Sequence, residues 1–281
     1  MKKWFIVIIT LVICLCGCNS EDDDCTVAFS TLDLDITTNW GIEAIDYGTF
    51  DTQNIKIAVI DRIGYVEAPG ITYHSVVDNA NRPVEHGSYV LAILREMLPT
   101  ADFLAINIAA GDGEIEPTSL AEGIEYALDA GCHVINVSLG SQTNYPEVEK
   151  QIARVADLQC VIVAACGNES KQALDYPAGY NNVVSVMARN IDNIDFDNNN
   201  TSETKKSFAA PGSVVFNETK LVSGSSIATA YVTAEVAYVL SVKPNITNND
   251  LQKLLVDSSI FESQYSYGII NHSLLTQNIQ E

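Results

Sequence analysis

The chain has 281 residues, a formal charge of −21 from 15 Lys and Arg against 36 Asp and Glu, 47% hydrophobic residues and seven cysteines. That length and apolar content suit one large domain with a sizeable core, or two small ones. So acidic a surface argues against nucleic acid or an anionic membrane face as a partner, and no CxxC or Cys/His ligand spacing points to a metal site.

In chain order, the first segment is MKKWFIVIITLVICLCGC. Two lysines precede an apolar stretch too short for a comfortable membrane-spanning helix, which is the pattern of a secretory signal peptide. Leu15, Cys16, Gly17 and Cys18 resemble the cleavage box of a bacterial lipoprotein signal. The resemblance makes residues 1–17 the signal peptide and Cys18 the lipid-bearing N-terminus. Loss of Lys2 and Lys3 with the signal takes the charge from −21 to −23. Residues 18–38, beginning with SEDDD after the first positions, read as an acidic tether. The expected location is the bacterial cell envelope outside the cytoplasm, with membrane contact through the N-terminal lipid only. Cys132 and Cys160 each open an apolar run and are read as buried free thiols, with pairing left open.

From residue 39 onward strands and helices alternate. Strand-like runs are predicted at 55–60, 102–108, 132–139, 160–165 and 183–188, mostly continuous apolar stretches of the kind buried on both faces. Helical patterns occupy 86–97, 118–130, 146–157, 226–242 and 248–256. This interleaving predicts an α/β fold with a mainly parallel twisted sheet and helices on both faces. The Asn/Asp-rich stretch 190–206 reads as an exposed loop. His74, His133 and His272 read as ordinary structural histidines.

In such a sheet, functional groups collect at the carboxyl ends of the strands. Asp61 ends IKIAVID, Ser138-Leu139-Gly140 follows VINV, and Gly167-Asn168 follows CVIVAAC. One helix opens at His86-Gly87-Ser88 and the last long one at Gly224-Ser225-Ser226. A serine hydroxyl becomes a useful nucleophile when an imidazole takes its proton and a carboxylate orients that imidazole. Asn168 and the Ser226 backbone N–H are then candidate donors to an oxyanion, favoured by the dipole of the helix behind Ser226.

These motifs resemble those of the subtilases, the subtilisin-like serine peptidases, in which acid, base and nucleophile follow the order Asp, His, Ser. IAVID is similar to the family's aspartate strand, HGSYVLAIL to its histidine helix, VINVSLG to its substrate-pairing segment, VAACGN to its oxyanion motif and SGSSIA to its nucleophile motif. The resemblance extends over roughly residues 39 to 275, so residues 39–281 are expected to form one three-layer subtilisin-like peptidase domain. It implies Asp61, His86 and Ser226 as catalytic residues, Asn168 as the oxyanion donor, and a polypeptide substrate lying along Ser138, Leu139 and Gly140. No cofactor is implied.

Several positions depart from the family pattern. Arg62-Ile63-Gly64 follows Asp61, Tyr89 replaces a second histidine, Ser225 and Ile227 flank the nucleophile, and Ala230 replaces a proline. Each touches a supporting position. The compact stretch from His86 to Pro99 predicts no tightly bound calcium there, and about twenty residues between Cys18 and Trp40 are too few for a folded inhibitory propeptide. The resemblance puts Asp175 at the base of the primary specificity pocket and Glu169 at its rim, with Glu114 and Glu116 along the substrate edge. An acidic floor favours an incoming Lys or Arg. The competing reading is a catalytically weak or inactive envelope-binding lipoprotein on the same fold.

Overall fold

The structure is a computed structural model that describes residues 36–45, 51–78, 86–111, 113–155, 158–190, 196–261 and 267–280. The signal peptide, Cys18 and most of the tether lie outside the described residues. The elements are β1 (Ile36–Thr38), α1 (Trp40–Ala44), β2 (Lys56–Asp61), β3 (Ile71–Ser75), α2 (His86–Met97), β4 (Asp102–Asn107), α3 (Pro117–Asp129), β5 (Val134–Val137) and α4 (Pro146–Val155). They continue with β6 (Val161–Ala165), β7 (Val184–Arg189), β8 (Ser207–Pro211), β9 (Ser213–Phe216), β10 (Lys220–Ser223), α5 (Ser225–Val242), α6 (Asn248–Asp257), β11 (Ser259–Ile260), β12 (Tyr267–Ile270) and α7 (His272–Gln280).

Among the described residues the main sheet runs β11-β12-β8-β7-β6-β5-β2-β4-β3. All its neighbours are parallel except β11 with β12. Alternate side chains of each central strand feed opposite cores. Ile57 and Val59 of β2 join α2 and α5, whereas Ala58 and Ile60 join α3 and α4. The three layers are therefore helix, sheet and helix, as the alternation of elements predicts. The helices turn matching stripes inward: Val148, Ile152 and Val155 in α4, and Leu120, Ile124 and Leu128 in α3.

Helix α5 differs, being buried at every position from Ser225 to Ala237. Such a helix must dispose of every polar group it carries. Asn136 Nδ2 donates to Thr233 Oγ1 at 2.9 Å, and Glu235 Oε2 lies 2.7 Å from His272 Nδ1 on α7. Burial pushes the Glu235 carboxyl above its ordinary range. His272 thus ties the last helix to the core, while His133 Nδ1 accepts the Lys56 N–H and His74 stacks on Tyr126 at 3.6 Å. Cys132, Cys160 and Cys166 are buried free thiols.

A small antiparallel sheet, β1-β9-β10, stands apart from the main one. Phe216 of β9 meets the Tyr89 ring of α2 at 4.8 Å, and Lys220 Nζ lies 4.6 Å from that ring. Tyr89, which departs from the family pattern, thereby fastens the start of α2 to this sheet.

The stretch 190–206 corrects its sequence reading in part. Asn199 and Asn200 are 5% and 0% exposed. Their amides bond backbone and side chains beneath the sheet's carboxyl edge, which a polar composition conceals.

Candidate active site

Asp61 is the last residue of β2, and its register partner Asn107 ends the adjacent β4. Asn107 Oδ1 accepts the Ile63 and Ala109 N–H groups, and its Nδ2 donates to Ser75 Oγ at 3.1 Å. Sequence reasoning overlooked Asn107; its signal was a polar residue closing an apolar strand. It fixes the turn that leaves Asp61 pointing along the sheet edge. Asp61 Oδ1 accepts the Arg62 N–H at 2.7 Å, and Oδ2 lies 2.8 Å from His86 Nδ1. The Asp61 side chain is 2% exposed and that of His86 27%, so one end of the imidazole is buried against the acid and the rest reaches solvent. Gly87 makes this approach feasible, because a Cβ there would stand 2.4 Å from Ile63 Cγ1 and 2.6 Å from Asp61 Cβ.

Ser226 lies in the first turn of α5, where backbone N–H groups have no intrahelical acceptor. Asn168 follows β6 and caps this turn from outside: its Oδ1 accepts the Ser225 N–H at 2.9 Å. With its oxygen so engaged, the side chain keeps Nδ2 as a donor beside Gly224. Ser226 Oγ donates to the Ser138 carbonyl at 2.9 Å. Ser138 Oγ in turn stands 3.0 Å from Ser226 O and 2.9 Å from Asn136 Oδ1. Ser138 and Ser226 are thus locked together by hydrogen bonds in both directions. Ser225 Oγ is buried beside the Cys166 thiol. Burial raises the nearby Cys166 thiol to about 12, so that thiol is no nucleophile at neutral pH.

Leu139 is half-buried and Gly140 exposed. With Ile115, Tyr145 and Tyr176 they line an apolar cleft. Asp175 is 8% exposed and packs against Gly140, where an added Cβ would stand 2.7 Å from its Cβ. Its Oδ1 accepts Asn200 Nδ2 at 3.1 Å and also Gln142 Nε2. Its Oδ2 lies against Gly167, where an added Cβ would come within 2.3 Å. Gly167 also has φ +100°, so two independent reasons require glycine before Asn168. Desolvation by burial raises the Asp175 carboxyl above its ordinary value, opposed by the hydrogen bonds from Gln142 and Asn200. Glu169 is exposed and forms an ion pair with Lys171. Asn200, absent from the sequence-based site, also accepts the Glu169 and Lys171 N–H groups at 3.0 Å. Among the described residues, no cluster of three or more His, Cys, Asp and Glu could hold a metal ion.

The sequence pattern described as the Subtilase family matches residues 71–274. The chain belongs to that family. This subtilase is 28% identical over 271 residues to a thermostable alkaline protease of Halalkalibacterium halodurans, covering 86% of this chain and 74% of the relative. It superposes on the protease domain of PatA, solved as a serine-to-alanine mutant, with TM-score 0.72 and 23% identity over 83% of this chain and 97% of that one. The nisin leader peptidase NisP from Lactococcus lactis gives TM-score 0.68 and 16% identity, covering 85% of this chain and 93% of its own. This subtilase is accordingly a subtilisin-like serine protease with the fold of those enzymes, and polypeptide is its substrate class. The family match begins at residue 71, downstream of Asp61, so the pairing of Asp61 with His86 rests on geometry.

Proposed function

We propose that this subtilase is a lipid-anchored serine endopeptidase of the cell envelope that cuts extended peptides after Lys or Arg. The observation that carries the reading is the 2.8 Å contact between Asp61 Oδ2 and His86 Nδ1 on the edge where Ser226 opens α5.

In this reading the Asp61 carboxylate accepts the His86 Nδ1–H, which leaves Nε2 as the base. Rotation of the Ser226 side chain takes Oγ from the Ser138 carbonyl toward that nitrogen. Oγ attacks the scissile carbonyl carbon as its proton passes to Nε2. The oxyanion is met by Asn168 Nδ2 and the Ser226 N–H, both already oriented by the Asn168–Ser225 cap. The protonated imidazole then gives its proton to the leaving amine. Water, deprotonated by the same nitrogen, releases the acid and restores Ser226. Substrate would pair as a strand along Ser138, Leu139 and Gly140, against the segment carrying Glu114 and Glu116.

Asp175 supports the basic preference. It is buried, its Oδ1 is occupied by two amides, and its Oδ2 has no hydrogen bond among the described residues. An incoming ammonium or guanidinium would supply that partner. The fold likeness to NisP, named a leader peptidase, suits a dedicated processing enzyme better than a scavenger. The anchor at Cys18 rests on the Leu15–Cys18 box.

A fluorophosphonate probe tests the reading. Labelling of the wild-type chain, lost in Ser226→Ala, is the expected result; a folded protein that never labels is the envelope-binding lipoprotein instead. Cleavage-site profiling on a peptide library should then show Lys or Arg before the cut. Preference for Phe or Leu, unchanged in Asp175→Ser, would remove the acidic-floor assignment.

A further inference from the structure

The sheet has a second edge, at the amino ends of its parallel strands, away from His86 and Ser226. There Cys132 lies two residues before β5 and Cys160 one residue before β6. The two strands pair in parallel with Val134 opposite Val161, and Val161 N–H donates to His133 O at 3.0 Å. This register sets His133 opposite Cys160 and Cys132 diagonal to it. A step of about 3.3 Å along a strand and about 4.8 Å between strands put the two α-carbons about 6 Å apart, within the span of a disulfide. Hydrogen bonds pin both backbones: Cys132 N–H donates to Ala127 O at 3.1 Å, and Asn248 Nδ2 to Cys160 O at 3.1 Å. Each cysteine follows a left-handed residue, Gly131 at φ 71° and Gln159 at φ 51°, that turns the chain into its strand.

Both side chains belong to the core between the sheet and α3 and α4, on one face. Both also line a single cavity of about 540 Å³, together with Leu128, Leu158 and Leu240. The cavity gives a thiol room to change rotamer and a small reagent a way in, since Leu158 is exposed. Burial pushes the Cys160 thiol up, and the neighbouring Cys132 sulfur pushes it further. Burial also raises the Cys132 thiol, to about 11, but the Lys56 ammonium, held on Ala130 O at 2.9 Å, opposes that rise. Cys132 is the more readily ionised of the two and so the first to attack.

We propose that Cys132 and Cys160 are a redox pair that closes to a disulfide by exchange with a small-molecule disulfide such as glutathione disulfide, stapling the two strands whose far ends lead to Ser138 and Asn168. The structure holds the reduced pair. The Cys132 thiolate attacks one sulfur of the reagent, and the other sulfur leaves as a thiolate. The Cys160 thiolate then attacks the Cys132 sulfur of the mixed disulfide and expels the second thiolate. Two cysteine thiols are oxidised, the reagent is reduced to two thiols, and the two cysteine protons end on the leaving groups. The supply of such an oxidant in the cell rests on the envelope location proposed above; the pair itself does not.

The test equilibrates the folded wild-type chain with reduced glutathione or with glutathione disulfide, alkylates the remaining thiols under denaturing conditions and maps the peptides. A Cys132 peptide joined to a Cys160 peptide is expected in the disulfide arm alone. Closing a loop of about thirty residues should then raise the melting temperature by roughly 5–10 °C over the reduced chain. Cys132→Ala and Cys160→Ala should each melt at one temperature in both arms. If neither variant folds, the wild-type map decides by itself. Absence of the joined peptide, a glutathione adduct without it, or Cys132 joined to Cys166 instead overturns the pair. So does a link that forms only when the chain is unfolded in urea before oxidation. A joined chain that melts no higher, or a rise that persists in Cys132→Ala, overturns the staple. Mapping and melting need no turnover. A joined pair in a chain that never labels with fluorophosphonate therefore counts against the peptidase reading alone, and labelling without a joined pair counts against the staple alone.

Discussion

Asp61, His86, Ser138 and Ser226 each stand at or beside the end of a regular element, whereas Asn199 and Asn200 come from an irregular polar loop running into β8. The first group is placed by the sheet and by α5, elements anchored by large buried surfaces. The second group is placed by its own hydrogen bonds and places others in return. Asn200 donates to Asp175 and accepts two backbone N–H groups of the segment after Asn168. Substitutions in the two regions should therefore fail differently. Loss of a strand-end group removes chemistry and leaves the fold, while loss of a loop amide loosens the pocket.

The largest separation between the regions is expected at Asn168. Asn168→Ala should lower kcat by about 10²- to 10³-fold with KM little changed, the cost of one oxyanion donor. Steady-state kinetics on a cleaved peptide checks it, and an unchanged kcat would place the oxyanion elsewhere. Asn200→Ala should act in the opposite sense. It removes one of the two amide donors to Asp175 and strands two N–H groups, so the urea midpoint should fall by the equivalent of about 2–3 kcal/mol. Fluorophosphonate labelling of the folded fraction should survive, because Ser226 and His86 are held from other elements.

The smallest effect is a pH dependence confined to selectivity. In the proposed reading only ionised Asp175 attracts a basic side chain, and burial raises its pKa above that of an ordinary aspartate. The Lys-over-Leu ratio of kcat/KM should hold at neutral pH and decline as pH falls through that raised value, sooner than an ordinary Asp would allow. Asp175→Asn should lower the ratio by about 10-fold and make it flat with pH. The sign for stability follows from the same shift. The folded state binds the proton more tightly than the unfolded chain, so the Asp175 contribution improves as pH falls through its folded pKa.

Much of the frame was legible because it is periodic. Continuous apolar runs such as IKIAVI and CVIVAA mark two-faced strands, and the residues closing them had to lie on one edge. Element ends shifted by a residue or two, as with β5, which spans 134–137 within a run read as 132–139. The short strands β3, β8 and β12 were not read, since pairing with an established neighbour forms them more than their own pattern does.

The sequence by itself determined the parallel sheet with helices on both faces and the order of Asp61, His86 and Ser226 along the chain. Only the tertiary structure decided how Asn107, Asn200 and the Glu235–His272 pair are used. Their partners lie across chain separations of tens of residues and are often backbone atoms. A contact between a side chain and a distant backbone group leaves no period and no composition for a sequence to display. It exists once the strands have brought the two stretches together.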